Sequence, residues 1–236
     1  MKTLTTRICL EVAAHEAVIR QAYKDSVGVW TWSVGITSAS GHKVERYIDN
    51  PQPLRKCLDV WIWLMQEKYL PAVLEAFRGH ELTEAQLGAA LSFHWNTGAI
   101  KRASWVKKWK AGDIAGARKS FMDWRKPKAI IPRREKERDL FFDGKWSNNG
   151  SMTEYTRVTP SKRPDWGSAK RIDASAAISA ILAGAPPVRP DVEPRGPVIP
   201  PKPDLPPTGQ KTGGVVAAIA ALFAALAAYA KSQGWW

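Results

Sequence analysis

Ten prolines crowd the stretch from Pro186 to Pro207, and they divide the chain more sharply than any other feature. Each proline fixes its own φ, lacks a backbone N–H and restricts the residue before it, so neither a helix nor an inner strand runs through such a segment. An extended, semi-rigid spacer is expected there. The main core must then form upstream, and the segment beyond the prolines acts apart from it. That segment is an Ala-rich run with no charged residue from Thr212 to Ala230. As a helix it extends roughly 28 Å, enough to cross the hydrocarbon of a bilayer. Lys231 and Trp235-Trp236 suit a headgroup interface. Residues 213–231 are therefore predicted as a transmembrane or membrane-anchor helix, with a self-associating helix as the alternative.

Upstream, the patterns are periodic as far as Trp146. Residues 1–22 read as a helix with Leu4, Ile8, Val12 and Ile19 on its apolar side. Between Val29 and Ile36 the period drops to two: Trp30, Trp32, Val34 and Ile36 alternate with Thr31, Ser33 and Gly35. The turn-forming Asp25-Ser26-Val27-Gly28 stands in front, so a small β-hairpin is predicted. Helical patterns return from Leu54 through Trp61 to about Tyr69, and after Thr83, an N-cap residue ahead of the run Leu87 to Trp95. Further helices are expected at 103–110, 113–124 and 132–142. The fold class is α+β, mostly helical with a small N-terminal sheet. Residues 147–172 are polar and aperiodic. They are read, with the proline-rich stretch, as a linker over 147–212 that is interrupted by a short Ala-rich helix at 173–184.

Hydrophobic residues make up 44% of the chain, enough for one sizeable core. The formal net charge of +13 favours an acidic partner: nucleic acid, anionic lipid or the acidic polymers of a bacterial wall. Nucleic acid has only this charge in its favour and is set aside. Cys9 and Cys57 lie in apolar surroundings and read as buried thiols, although pairing is not legible from their spacing. The sequence lacks CxxC and HExxH motifs and its four histidines are scattered, so neither a metal site nor a cofactor is expected. Met1 to Val12 contains Arg7 and Glu11, which argues against a secretory signal peptide.

Two carboxyl groups invite a chemical reading. Glycosidic-bond hydrolysis needs one carboxyl that stays protonated and one that stays ionised. Glu16 lies late in the predicted apolar helix, where poor solvation raises a carboxyl pKa. Asp25, nine residues on, lies in a polar turn and should ionise normally. Thr31 adds a hydroxyl to hold water beside it. By spacing alone these residues read more simply as a solvated surface pair.

The surrounding residues separate the two readings. Glu16, Asp25 and Thr31 are set in His-Glu-Ala-x4-Ala-Tyr-x-Asp-x2-Gly-x-Trp-Thr-x3-Gly, which resembles the catalytic signature of the phage-type lysozymes, glycoside hydrolase family 24. The segment Ala90-Leu-Ser-Phe-His-Trp-Asn-Thr-Gly98 resembles the buried helix of that family. The segment from Pro132 to Gly144-Lys-Trp146 resembles its closing helix. The resemblance covers about 1–146 and implies a lysozyme-like fold acting on bacterial peptidoglycan. It makes Glu16 the general acid and gives Asp25 and Thr31 the water. It also places Trp95 and Asn96 in a cleft-facing helix as substrate-binding candidates. This sequence departs from the family in having Ala17 where glycine is usual, and Trp32-Ser-Val-Gly-Ile-Thr37 where Ile-Gly-Tyr-Gly-His-Thr is usual.

His15 points about 100° away from Glu16 on a helix and is read as a packing or surface residue. Arg133, Arg134 and Arg138 read most simply as a solvated basic face, with a grip on the acidic peptides of peptidoglycan as the alternative. A phage-encoded or prophage-derived endolysin acting at the host envelope is implied, with a holin as partner and membrane contact through 213–231. The alternative is a basic wall-binding or membrane-perturbing protein whose tail does the work. Arg195, Lys202 and Lys211 outnumber Lys231 across the apolar run, which places the N-terminal domain on the cytoplasmic side.

Overall fold

The computed structural model describes residues 3–26 and 28–184. The proline-rich stretch and the anchor predicted at 213–231 lie outside the described residues. Among the described residues no helix is long and apolar enough to cross a membrane.

Helix α1 (Thr6–Ala14) starts where the Thr5 hydroxyl accepts a hydrogen bond from Ile8 N, and it stops at His15. The helix predicted over 1–22 is thus half its expected length, because Ala17–Lys24 is strand β1. The adjacent β-branched Val18 and Ile19 suit an extended backbone. The deciding interactions are non-local, since β1 pairs on both sides. Antiparallel β2 (Trp30–Ser33) flanks it on one side and parallel β4 (Ser151–Tyr155) on the other. Short β3 (Ile36–Thr37) and antiparallel β5 (Ala169–Asp173) complete a five-stranded sheet in the order β3-β2-β1-β4-β5. The hairpin expected around the turn at residues 25–28 is present as β1 and β2, followed by short β3.

Strands β4 and β5 correct the linker expected at 147–172. The polar stretch lacks a local period because its partners are remote in sequence. Glu11, buried in α1, accepts hydrogen bonds from Ser147 N, Ser147 Oγ and Asn148 N, which turns the chain back toward the sheet. The short helix expected at 173–184 is α8 (Ser175–Leu182), and its buried Ile178 joins the main core.

Of the remaining helices α2 packs on the sheet, and the others build the helical core beside it. Helix α2 (Leu54–Leu64) runs through a π-helical turn at Met65–Tyr69 into α3 (Leu70–Ala76). Pro71, in the first turn of α3, has no N–H to give to residue 67, and the irregular turn falls at that point. Helix α4 (Glu84–Thr97) opens with a full capping box between Thr83 and Gln86 and ends on Gly98 at φ 63°. From Leu87 to Phe93 every residue is buried, as befits the central helix of a bundle. Helices α5 (Ser104–Lys110), α6 (Ile114–Phe121) and α7 (Ile131–Asp143) lie near their predicted positions. Cys9 and Cys57 are buried free thiols, and burial pushes both up to about 12.

Strand β1 separates two apolar clusters. Val18 and Ala22 face the main helical core, while Ala17, Ile19 and Tyr23 join Tyr155 on the other side. The β1–β2 register slips between Ile19 and Tyr23: four steps on β1 match two on β2. An even number of extra residues preserves the alternation of faces. Within the slip, the Arg20 carbonyl accepts from Trp32 Nε1 at 2.9 Å and from Gln52 N at 2.8 Å.

Candidate active site

Glu16 sits between the end of α1 and the start of β1, and Asp25 is the first residue beyond that strand. A single strand therefore separates the two carboxylates. The turn after β1 is closed by the backbone N–H and C=O of Val29. Val29 N donates to Asp25 Oδ1 at 2.9 Å, and Val29 O accepts from Asp25 N at 3.0 Å and from Thr31 Oγ1 at 3.3 Å. Gly28, at φ 85°, takes the left-handed position that the turn requires. Thr31 lies opposite Tyr23 in the β1–β2 ladder. Asp25 and Thr31 are thus joined through a single residue, Val29.

Glu16 is 5% exposed, and Arg133 Nη1 donates to its Oε1 at 2.7 Å. Two effects oppose each other. Burial disfavours the carboxylate, while the adjacent guanidinium favours it. Burial wins, and the Glu16 carboxyl is raised to about 7, with the negative charge of Glu137 adding to the rise. The Arg133 charge is not spent on Glu16 alone, because its Nε donates to Glu137 Oε1 at 2.7 Å. Burial is thus the main cause of the raised Glu16 pKa, and the neighbouring Glu137 charge adds to it.

The tyrosines report the reach of the carboxylates. Tyr23 is fully buried and its phenol is pushed well above the ordinary tyrosine value by burial, then by the charges of Glu16 and Asp25. Tyr69, at the end of the π-helical turn, is raised by burial and by Glu16. Its ring lies 4.6 Å from that of Trp95. Gly35, at φ 77°, completes this wall. A Cβ there would stand 3.3 Å from Glu16 Oε2 and 3.6 Å from Trp95 Nε1, so a larger residue would press on the acid. The structure therefore brings Trp95 beside Glu16.

Asn96 faces elsewhere. Its Oδ1 accepts from Arg134 Nη2 at 2.6 Å, inside the polar cluster beneath the site. In that cluster Arg134 also pairs with Glu137, and Ser92 Oγ donates to Glu137 Oε1 at 2.5 Å. Arg133 Nη2 reaches Ser92 O and Oγ at 3.1 Å. Arg133 and Arg134 are thus buried, which corrects the solvated basic face expected from sequence; Arg138 remains partly exposed beside Asp139. The His15 side chain is also little exposed, 3.8 Å from Glu11, and burial followed by the charge of Arg133 holds it neutral.

Sequence reasoning missed Arg133, Tyr23, Tyr69 and Gly35. The one legible signal was the Arg133-x3-Glu137 spacing, which puts both residues on one helix face. Among the described residues no group of His, Cys, Asp and Glu is arranged to hold a metal ion.

Known proteins give this arrangement its context. The fold superposes on an endolysin from Escherichia coli O157:H7 phage FAHEc1 with a TM-score of 0.54 and 20% identity, covering 63% of this chain and 98% of that one. The muramidase domain of SpmX from Asticaccaulis excentricus superposes with a TM-score of 0.46 and 19% identity, covering 60% and 98%. No curated protein matches the chain. The model of the family described as phage lysozyme matches residues 13–137, more than half of the chain and a span that includes Glu16, Asp25, Thr31 and Arg133. The chain belongs to the phage lysozyme family.

Proposed function

We propose that this protein is a muramidase that hydrolyses the β-1,4 bond between N-acetylmuramic acid and N-acetylglucosamine in bacterial peptidoglycan. The observation that carries the reading is a buried Glu16 carboxyl raised to about 7 at one end of β1, with the Asp25–Val29–Thr31 turn at the other. Two carboxyl groups held in such different surroundings fit an acid and its partner.

Glu16 gives its proton to the leaving glycosidic oxygen as the bond to the anomeric carbon breaks. Asp25 takes a proton from water, which attacks that carbon from the opposite face, and Thr31 holds the water. One water is consumed, and the protons on Glu16 and Asp25 re-equilibrate with solvent. The outcome is inversion, for which such carboxyl groups stand roughly 6.5–9.5 Å apart. Arg133 stabilises the carboxylate left on Glu16. Trp95 forms part of the sugar-binding wall, and Asn96 supports the site through Arg134. Lysis of the cell results from cutting the wall, consistent with a phage or prophage endolysin acting at the host envelope.

Purified peptidoglycan digested by the enzyme and then reduced with borohydride should yield muramicitol termini, and the fresh product should carry the inverted anomer by NMR. Glucosaminitol termini, or no new reducing ends, would reject the assignment.

A further inference from the structure

Strand β1 carries Glu16 before its first residue and Asp25 after its last, so the spacing of the two carboxyl groups depends on how straight and fixed β1 is. Its β2 side offers only partial support, because the ladder slips between Ile19 and Tyr23. Its other side is lined by the β4–β5 hairpin. At the Glu16 end, β4 pairs in register with Ala17, Val18 and Ile19.

At the Asp25 end, the loop over residues 156–168 reaches back to the turn. Lys24 N donates to Lys162 O at 2.6 Å, Arg163 Nη1 to Asp25 O at 3.4 Å, and Lys162 Nζ contacts both Asp49 carboxyl oxygens at 2.5 and 2.6 Å. The loop is itself stiff: Thr159 and Arg163 exchange backbone and hydroxyl hydrogen bonds, and Val158 bridges to Pro164. Trp166, 5.2 Å from Tyr155, packs under the cluster that holds Tyr23. The hairpin lies beyond the residues that match the family model, which end at 137.

We infer that the β4–β5 hairpin is a splint for the active site: it grips β1 at both ends and fixes the distance and angle between the Glu16 and Asp25 carboxyl groups, with Lys162 and Arg163 as positioning residues. This rests on the proposed roles of those two carboxyl groups. A splint places the reacting groups without itself holding substrate, so its loss is expected in turnover and not in binding. Misplacing a reacting group by about 1 Å costs on the order of a hundredfold in rate.

Lys162 has φ 61°, where a β-branched side chain is strongly disfavoured and glycine is at ease. In the full chain, Lys162→Val should lower kcat on purified peptidoglycan about ten- to a hundredfold while KM changes little. Lys162→Gly should recover most of that loss, Arg163→Ala should lower kcat about threefold, and Lys170→Ala on β5 should behave as wild type. The alkaline limb near pH 7 should stay in place throughout, since Glu16 keeps its surroundings.

A folded Lys162→Val enzyme with wild-type kcat, or a loss expressed in KM, overturns the splint. If Lys162→Val does not fold, Arg163→Ala decides: wild-type kcat counts against the splint and a kcat-only loss supports it. Asp25→Asn separates the two claims. If it stays fully active, the carboxyl assignment fails; if it is inactive while the hairpin variants are unimpaired, only the splint fails.

Discussion

Glu16 and Arg133 are a buried acid and a buried base in contact, yet the acid keeps its proton to about pH 7. Burial works here against one guanidinium shared between two carboxylates. Removing the guanidinium should therefore raise the Glu16 pKa further. Arg133→Met is expected to move the alkaline limb of kcat upward from about 7, and to cost about 3 kcal/mol or more in stability as Glu137 loses a partner. A limb that moves down in the pH–rate profile would contradict this electrostatic balance. Linkage gives a matching sign. The folded pKa lies above the ordinary 4.5, so the stability associated with the protonated form is complete below 4.5 and is lost as pH rises through about 7. Glu16, Asp25 and Thr31 could be singled out because they fall within one short motif, and the structure joins Asp25 and Thr31 at one turn. Arg133 could not be, since nothing local distinguishes a buried arginine from one on a solvated face; only the return of α7 across the chain, 117 residues later, does so.

Among the elements, those with local signals lay close to their expected places. The Thr83 cap, the terminal Gly98 and the period-3.6 patterns are written in consecutive residues. Strands β1, β4 and β5 depend on partners far along the chain. Helix α1 was over-extended because Ile19 falls in phase with Ile8 and Val12, although it packs on the opposite cluster beside Tyr155. The Glu11 anchor is the joint between the two regimes. Glu11→Gln loses part of the acceptor set for Ser147 and Asn148, and a urea melt should show about 2 kcal/mol of destabilisation. Unaltered stability would mean that the joint contributes little.

For the whole molecule, the sheet sets the domain boundary later than composition did. A domain ending at Trp146 would leave the β4 edge of β1 unpaired and expose Ala17, Ile19 and Tyr23, the face now covered by Tyr155 and Trp166. Truncation after Trp146 should therefore lower the melting temperature by about 10 °C or more, or give an aggregating product. A truncated chain that melts with the full-length protein would return the boundary to 146. Every role proposed for this fold depends on cleavage running through the Glu16 proton. Reducing-end release from purified peptidoglycan by Glu16→Gln at pH 6, with folding checked by circular dichroism, puts that dependence to the test. The expected rate is about 10²- to 10⁴-fold below wild type in a folded protein. A folded Glu16→Gln enzyme that cleaves at close to the wild-type rate would refute the role of Glu16 as the acid.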